Sequence, residues 1–367
     1  MSRHPIISYQ PLRLLFSVAY VGSIVGRLPL WFLFSFTPFL RPRPGWTAKN
    51  AFTLWLSHAL IDMRSRIGIT ETLSLEKGKE GNRFQVAKPA HTDLYQGPLV
   101  SDIKPAAVGG TWFPAPLGSD AASKMTVLYL HGGAYVQGDG RTDFCGFAGG
   151  LLAKNSGADA VFSVQYRLSG YSGLNPFPAA LQDALTAYLF LVRQLHIPSR
   201  NIVLCGDSAG ANLAIALLRY IQEFGEDLEI PPPRCAGLFS PWVAPFDIEH
   251  AGSANRRSDY LPTSFLSWGA HAYAGGLSES TSHPYITPLG HPFATPVPIF
   301  INSGSAEIFY DANLRWVNEM NGIRGNAVEF HVEEGSCHDT LLVGDKLGFE
   351  MSAQESVLKL KTFISSS

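Results

Sequence analysis

The run Gly206-Asp207-Ser208-Ala209-Gly210 stands between a short apolar stretch, NIVLC at 201–205, and a longer one at helical spacing, ANLAIALLRYIQ at 211–222. Small residues on both sides of Ser208 suit a sharp strand-to-helix turn that holds the serine in a strained conformation with its hydroxyl exposed. The positive end of the following helix would face that oxygen and any oxyanion forming beside it. The chemistry such a serine performs is attack on a carbonyl carbon. It requires a base, a group to orient the base, and amide donors for the developing negative charge.

A hydroxyl is a weak nucleophile until a base takes its proton, and a histidine does this only when a carboxylate fixes its tautomer. Among the histidines after Ser208, His338 lies in the loop EEGSCHD at 333–339, which follows an apolar run at 328–332 and precedes a last helical stretch. His331 falls inside that run, and His250, His271, His283 and His291 come before the last runs and read as surface or packing residues. For the acid, the run PIFINSG at 298–304 is followed by Glu307 and, four residues on, Asp311. Glu307 comes sooner after the run and is the first candidate. Asp311 is the second, placed where an Asp commonly caps a helix, here DANLRWVNEM.

The amide donors are expected after an earlier run. MTVLYL at 125–130 leads into His131-Gly132-Gly133-Ala134-Tyr135, and paired glycines let a backbone approach a substrate carbonyl closely. The candidate oxyanion hole is Gly132, Gly133, Ala134 and Ala209, with the amides of Gly133, Ala134 and Ala209 donating and Gly132 shaping the turn. Loss of one such donor costs about 100- to 1000-fold in turnover. Tyr135 is assigned to the acyl pocket. His131, beside the anion hole rather than beside Ser208, is expected to brace the loop through its ring nitrogens.

These groups need a scaffold that brings distant stretches together. MTVLYL, AVFSVQY at 160–166, NIVLCG, CAGLFS at 235–240 and PIFINSG alternate with helical stretches such as 179–195 and 209–224. Continuous apolar strands alternating with helices predict a parallel sheet covered on both faces, whose reacting groups gather beyond the carboxyl ends of the strands. The chain's 367 residues, 46% hydrophobic, suffice for one such α/β domain with an added cap. A net charge of -2 with scattered Lys and Arg leaves no field for nucleic acid. Four cysteines far apart and the lack of a His-Glu-x-x-His run or a phosphate loop argue against a metal, a disulfide framework or a nucleotide cofactor, so no cofactor or metal is expected.

The N-terminal region reads differently. Residues 14–40 are apolar except for Arg27 and a few hydroxyls, long enough to span a bilayer. Arg27 near the middle and interruptions at Pro29 and Pro38 also suit two shorter pieces forming an interfacial or re-entrant anchor. A greasy cap over the site and a cleaved signal peptide are the alternatives. Arg41, Arg43 and Lys49 against Arg3 and Arg13 place the catalytic part on the cytoplasmic side. The expected division is an apolar membrane or cap segment at 1–45, a cap region at 46–110 containing a helix from Thr47 to about Ile69, and a catalytic domain at 111–367. The expected location is a membrane, the endoplasmic reticulum among them, with the cytoplasm as the alternative.

HGGAY at 131–135, YRL at 166–168, FPAALQDA at 177–184, GDSAG at 206–210 and SPW at 240–242 together resemble the hormone-sensitive-lipase-like family of α/β-hydrolases. The resemblance runs from about Thr126 to the C-terminus and implies an eight-stranded, mostly parallel sheet, an N-terminal helical cap and carboxylic-ester hydrolysis. It adds Trp242 to Tyr135 as a pocket residue. The apolar N-terminus followed by RPRPGW is similar to a fungal branch that removes acetyl groups from sterols and other lipophilic alcohols at membranes. The chain departs from the family where Glu307 replaces the usual Asp, with Asp311 in the second acidic position, where Ala134 replaces a frequent Gly, and where Ser169-Gly170 replaces Ala-Pro. The resemblance implies as substrate a small apolar ester or a polyketide-like molecule. Two other functions are also compatible with it: a non-hydrolytic cyclase or condensation enzyme, and a small-molecule binder of the kind that has lost the histidine.

Overall fold

A computed structural model describes residues 3–247, 253–277 and 280–367. The apolar runs form strands β1 (Phe84–Ala87), β2 (Val108–Phe113), β3 (Thr126–Leu130), β4 (Ala160–Gln165), β5 (Ile202–Asp207), β6 (Cys235–Phe239), β7 (Ile299–Gly304) and β8 (Val328–Glu333). They join in one eight-stranded sheet of order β1-β2-β4-β3-β5-β6-β7-β8. β1 and β2, and β2 and β4, pair antiparallel, and every other neighbouring pair is parallel. Because side chains alternate across a strand, Leu128, Phe162 and Leu204 feed one core and Val127, Val161 and Val203 the other. The first core is closed by helices α4 (Ala179–Leu189) and α5 (Ser208–Phe224), the second by α3 (Thr142–Asn155) and α9 (Glu350–Ser366). The remaining helices are α6 (Thr263–Ala274), α7 (Tyr310–Asn321) and α8 (Thr340–Leu347).

Two helices precede the sheet, α1 (Leu12–Phe36) and α2 (Ala48–Ile67). The sequence of α2 defines both its ends. Thr47 and Asn50 exchange side-chain-to-backbone hydrogen bonds at the start, and Gly68 adopts the left-handed conformation at the end. α1 packs on α2, the Tyr20 hydroxyl donating to Asp62 at 2.5 Å, and Ser8, in the short turn before α1, donates through Oγ to the Ile67 carbonyl at 2.5 Å.

The structure differs from the sequence reading in two places here. The sheet starts inside the stretch expected to be cap, because β1 and the first residues of β2 lie before position 111. β1 is a four-residue edge strand and β2 begins Val-Gly-Gly, so neither presents the long apolar run that marks a central strand. Pro29 does not divide the N-terminal segment. α1 runs through it, with Pro29 exposed on the outer face, and ends only before Pro38. The single amide lost at Pro29 is absorbed by a helix held along its length by α2.

Candidate active site

Ser208 begins α5 directly at the end of β5, in the left-handed region with φ 50°. A non-glycine residue there costs about 1–3 kcal/mol and persists only where its surroundings over-determine it. The close packing of the turn does so. A Cβ on Gly210 would lie 1.9 Å from the Leu130 carbonyl oxygen, and one on Gly206 would lie 2.5 Å from that of Gly210. The glycines let β3, β5 and α5 approach closely enough to present the Ser208 hydroxyl.

His338, in the loop after β8, brings Nε2 to 2.9 Å from Ser208 Oγ. Its Nδ1 lies 3.2 Å from Glu307 Oε2, in the loop after β7. The other carboxylate oxygen, Oε1, accepts hydrogen bonds from the Ser303 hydroxyl and from Asn313 Nδ2, the latter at 3.0 Å. All three residues are buried. A carboxylate at Nδ1 fixes the proton there and leaves Nε2 as the acceptor for the serine proton. The amides of Gly133, Ala134 and Ala209 donate to no protein acceptor among the described residues. Gly133 lines the same cavity as Ser208 and His338, a space of about 220 Å³ walled by Ser57, Leu60 and Ile61 of α2 and by Tyr260, Phe265 and Leu342. The arrangement is competent for acyl transfer: nucleophile, base and the Gly133 amide on one cavity, with the orienting acid behind the base.

A family model described as alpha/beta hydrolase fold matches residues 127–342, more than half of the chain. The chain belongs to the α/β-hydrolase fold family. This α/β-hydrolase is 36% identical over 188 residues to an acetyl-hydrolase of Streptomyces hygroscopicus, a match covering 51% of this chain and 58% of that one. It is 27% identical over 256 residues to an ethyl acetate hydrolase of Pseudomonas putida, covering 67% and 76% respectively. The match thus spans under three fifths of the first relative. A solved hormone-sensitive lipase from a metagenome library superposes with a TM-score of 0.57 at 25% identity, covering 71% of this chain and 81% of that one. An esterase from the bacterial hormone-sensitive lipase family superposes at 0.61 and 20% identity over 86% and 97%, a likeness of fold.

The structure corrects several expectations. The Gly132 amide, which was not among the three expected to donate to the oxyanion, donates to Asp207 Oδ2 at 2.8 Å. Its role is steric, since a Cβ there would lie 2.3 Å from that same oxygen. Tyr135 lines no substrate cavity. It is buried, stacks on Tyr273 with ring centres 3.6 Å apart, and donates its hydroxyl to Asn212 at 2.6 Å. Trp242 is also buried outside the cavity, where its carbonyl accepts from Asn212 Nδ2 at 2.8 Å. Both residues brace the floor beneath Ser208, and Asn212, which joins them, had no motif to mark it. His131 braces its loop through one ring nitrogen rather than two: Nδ1 lies 2.6 Å from the Gly132 carbonyl and Nε2 has no partner among the described residues. Burial lowers its pKa to about 4, so the ring is neutral. Asp311 is exposed in the first turn of α7, one residue inside its start, and caps nothing with its side chain. His271 and His291 bond to nearby carbonyls away from the cavity, His283 packs against Phe177, His331 lies in β8, and His250 lies outside the described residues.

Sequence reasoning also missed a buried carboxylate pair. Asp207, inside the serine turn, accepts from the Tyr129 hydroxyl and the Gly132 amide, and it hydrogen-bonds Asp339, the residue after His338. Burial, then the charge of Asp207, pushes the Asp339 carboxyl well up, and burial raises Asp207 as well. The pair ties the serine turn to the histidine loop. Each letter stood in a motif already noted, but nothing in sequence shows that two acids 132 positions apart meet (Asp207 and Asp339).

The electrostatics give a pH prediction. Burial of His338 works against its protonation, but the hydrogen bond and charge of Glu307, then the charges of Asp259 and Asp207, outweigh it and raise its pKa above the ordinary 6.5. The base works only when neutral, so activity is lost as pH falls through that raised value. A pH profile of kcat/KM should show an acid limb centred above 6.5. Asp259→Asn should move the limb down, and an unmoved limb would show that this charge does not act on His338.

Proposed function

We propose that this protein hydrolyses a carboxylic ester, an acetyl ester foremost, of an apolar alcohol through an acyl-Ser208 intermediate. The observation that carries the reading is the Ser208–His338–Glu307 chain of contacts beside the uncommitted amides of Gly133, Ala134 and Ala209. Ser208 Oγ would attack the ester carbonyl as its proton passes to His338 Nε2, and the carbonyl oxygen would take up negative charge against the three amides. His338 would return the proton to the leaving alcohol. Water would then enter, give its proton to the same nitrogen and release the acid. Support for an acetyl group comes from the relatives named acetyl-hydrolase and ethyl acetate hydrolase, and from a cavity of only about 220 Å³. Support for an apolar alcohol comes from the α2 wall: Leu60 and Ile61 face the cavity on a helix whose other flank carries the apolar α1, which we read as a membrane anchor.

The test is a panel of esters with one alcohol and acyl chains from acetyl to decanoyl, extended to sterol acetates and acetylated polyketides, with products identified by mass. The expected result is a kcat/KM for acetyl at least about tenfold above that for long acyl groups. A preference for decanoyl would overturn the acetyl assignment. Rearrangement of a polyketide without any ester cleavage would replace hydrolysis by cyclisation.

A further inference from the structure

α1 is built inside out for a protein in water. The residues it turns toward the protein recur every three or four positions and include most of its polar ones: Ser17, Tyr20, Arg27 and Ser35 are partly or fully buried, and Ser23 is exposed. Its outer face is apolar. Leu14 is 59% exposed, Leu15 63%, Val18 64%, Val25 58%, Leu33 62% and Phe36 61%. Both charged residues of the helix, Arg13 and Arg27, sit on the inner stripe, and the helix has no acid. A surface helix facing water has the opposite pattern. One facing hydrocarbon along its side has this one, and because α1 packs along α2, with Tyr20 bonded to Asp62, it meets that hydrocarbon sideways rather than by crossing it.

At the C-terminal half of α1 the inner stripe borders a cavity of about 540 Å³ lined by Arg27, Arg41, Arg256 and Arg257, together with Trp31 and Phe39. None of the four arginines forms an ion pair among the described residues. Arg27 lies over the Trp31 ring and donates to the Ser23 carbonyl, and Arg41 donates to the carbonyls of Ser35 and Trp46, while Arg256 and Arg257 are exposed. The cavity's carboxylate, Asp259, is buried with its oxygens accepting from the amides of Leu261 and Ile308. Unpaired guanidinium groups suit phosphate oxygens, and Trp and Phe beside them suit the level where headgroups meet acyl chains.

We propose that α1 lies in the plane of a bilayer with its outer face among the acyl chains, and that the arginine cavity binds the phosphate of an anionic phospholipid. The proposal rests on the reading of α1 as a membrane anchor and adds its orientation and its lipid. It also gives the α2 wall of the catalytic cavity a bilayer neighbour from which an apolar ester can enter.

The test uses the full chain with vesicles of phosphatidylcholine alone and of phosphatidylcholine with one third phosphatidylserine. Wild type should bind both and the anionic ones more tightly. Arg256→Gln with Arg257→Gln should keep the neutral binding and the thermal melt while losing about fivefold in anionic affinity for each arginine removed. Equal affinity of wild type for the two vesicles would overturn the headgroup site and leave the anchor standing, and failure to bind either would overturn the anchor as well. Release from anionic vesicles by inorganic phosphate at unchanged ionic strength would assign the cavity to a soluble anion instead. Orientation is read separately from labels at Val18→Cys and Leu33→Cys, feasible because all four native cysteines are buried. An in-plane helix gives both labels the same quenching depth. A spanning helix separates them by about 22 Å and would overturn the orientation.

Discussion

Ser208→Ala is expected to lower kcat on p-nitrophenyl acetate by about a millionfold, to the level sustained by amide donors and binding alone. The size follows from the absence of a substitute. The other hydroxyls on the cavity wall belong to Ser57 of α2 and to Tyr260, and His338 Nε2 is directed at Ser208 Oγ at 2.9 Å. The variant should fold, because alanine replaces serine at the same left-handed position without new contacts, and the tight approaches of the turn are made by Gly206 and Gly210. Steady-state hydrolysis combined with fluorophosphonate labelling measures the effect. Wild type should label at Ser208 and the variant should not. A variant that melts like wild type and retains more than about a hundredth of the turnover would remove Ser208 from the chemistry.

The parts of this site legible in sequence are those where chemistry forces a residue type and the fold forces its place. Gly206 and Gly210 are required by carbonyl oxygens closer than any Cβ tolerates, and His338 and Glu307 follow the carboxyl ends of adjacent parallel strands, β8 and β7. The parts that were not legible depend on where a bond is directed. The bond from the Gly132 amide to Asp207 has no mark in the sequence. Tyr135 and Trp242 stand next to the machinery in sequence, but both are buried away from the cavity, where the Tyr135 hydroxyl and the Trp242 backbone carbonyl meet Asn212. β1 and the start of β2 were hidden because an edge strand needs little apolar length, and Pro29 misled because a helix docked along its side tolerates one missing amide. The apolar character of residues 14–40 was plain, but its period was not: only the contacts with α2 show that the polar residues share one stripe.

Glu307→Gln is expected to lower kcat by about ten-thousandfold, while Asp311→Asn changes it less than about twofold. The geometry around Glu307 decides which way a carboxamide would sit. Ser303 Oγ and Asn313 Nδ2 both donate to the carboxylate oxygen facing away from the histidine. A glutamine would keep those bonds by placing its carbonyl oxygen there, which directs its NH₂ at His338 Nδ1. That nitrogen would then have to accept, the ring proton would move to Nε2, and the nitrogen facing Ser208 could no longer take its proton. The size of the side chain is preserved and the direction of one hydrogen bond is reversed. With the charge of Glu307 gone, burial, already the largest single influence on His338, is opposed only by the more distant carboxylates, so the acid limb of the residual activity should fall below its wild-type position. Asp311, exposed on α7, has no route to either effect. A Glu307→Gln enzyme within about tenfold of wild type and with an unmoved limb would show that another carboxylate orients the base, and Asp259, whose charge already reaches His338, would be the group to replace next.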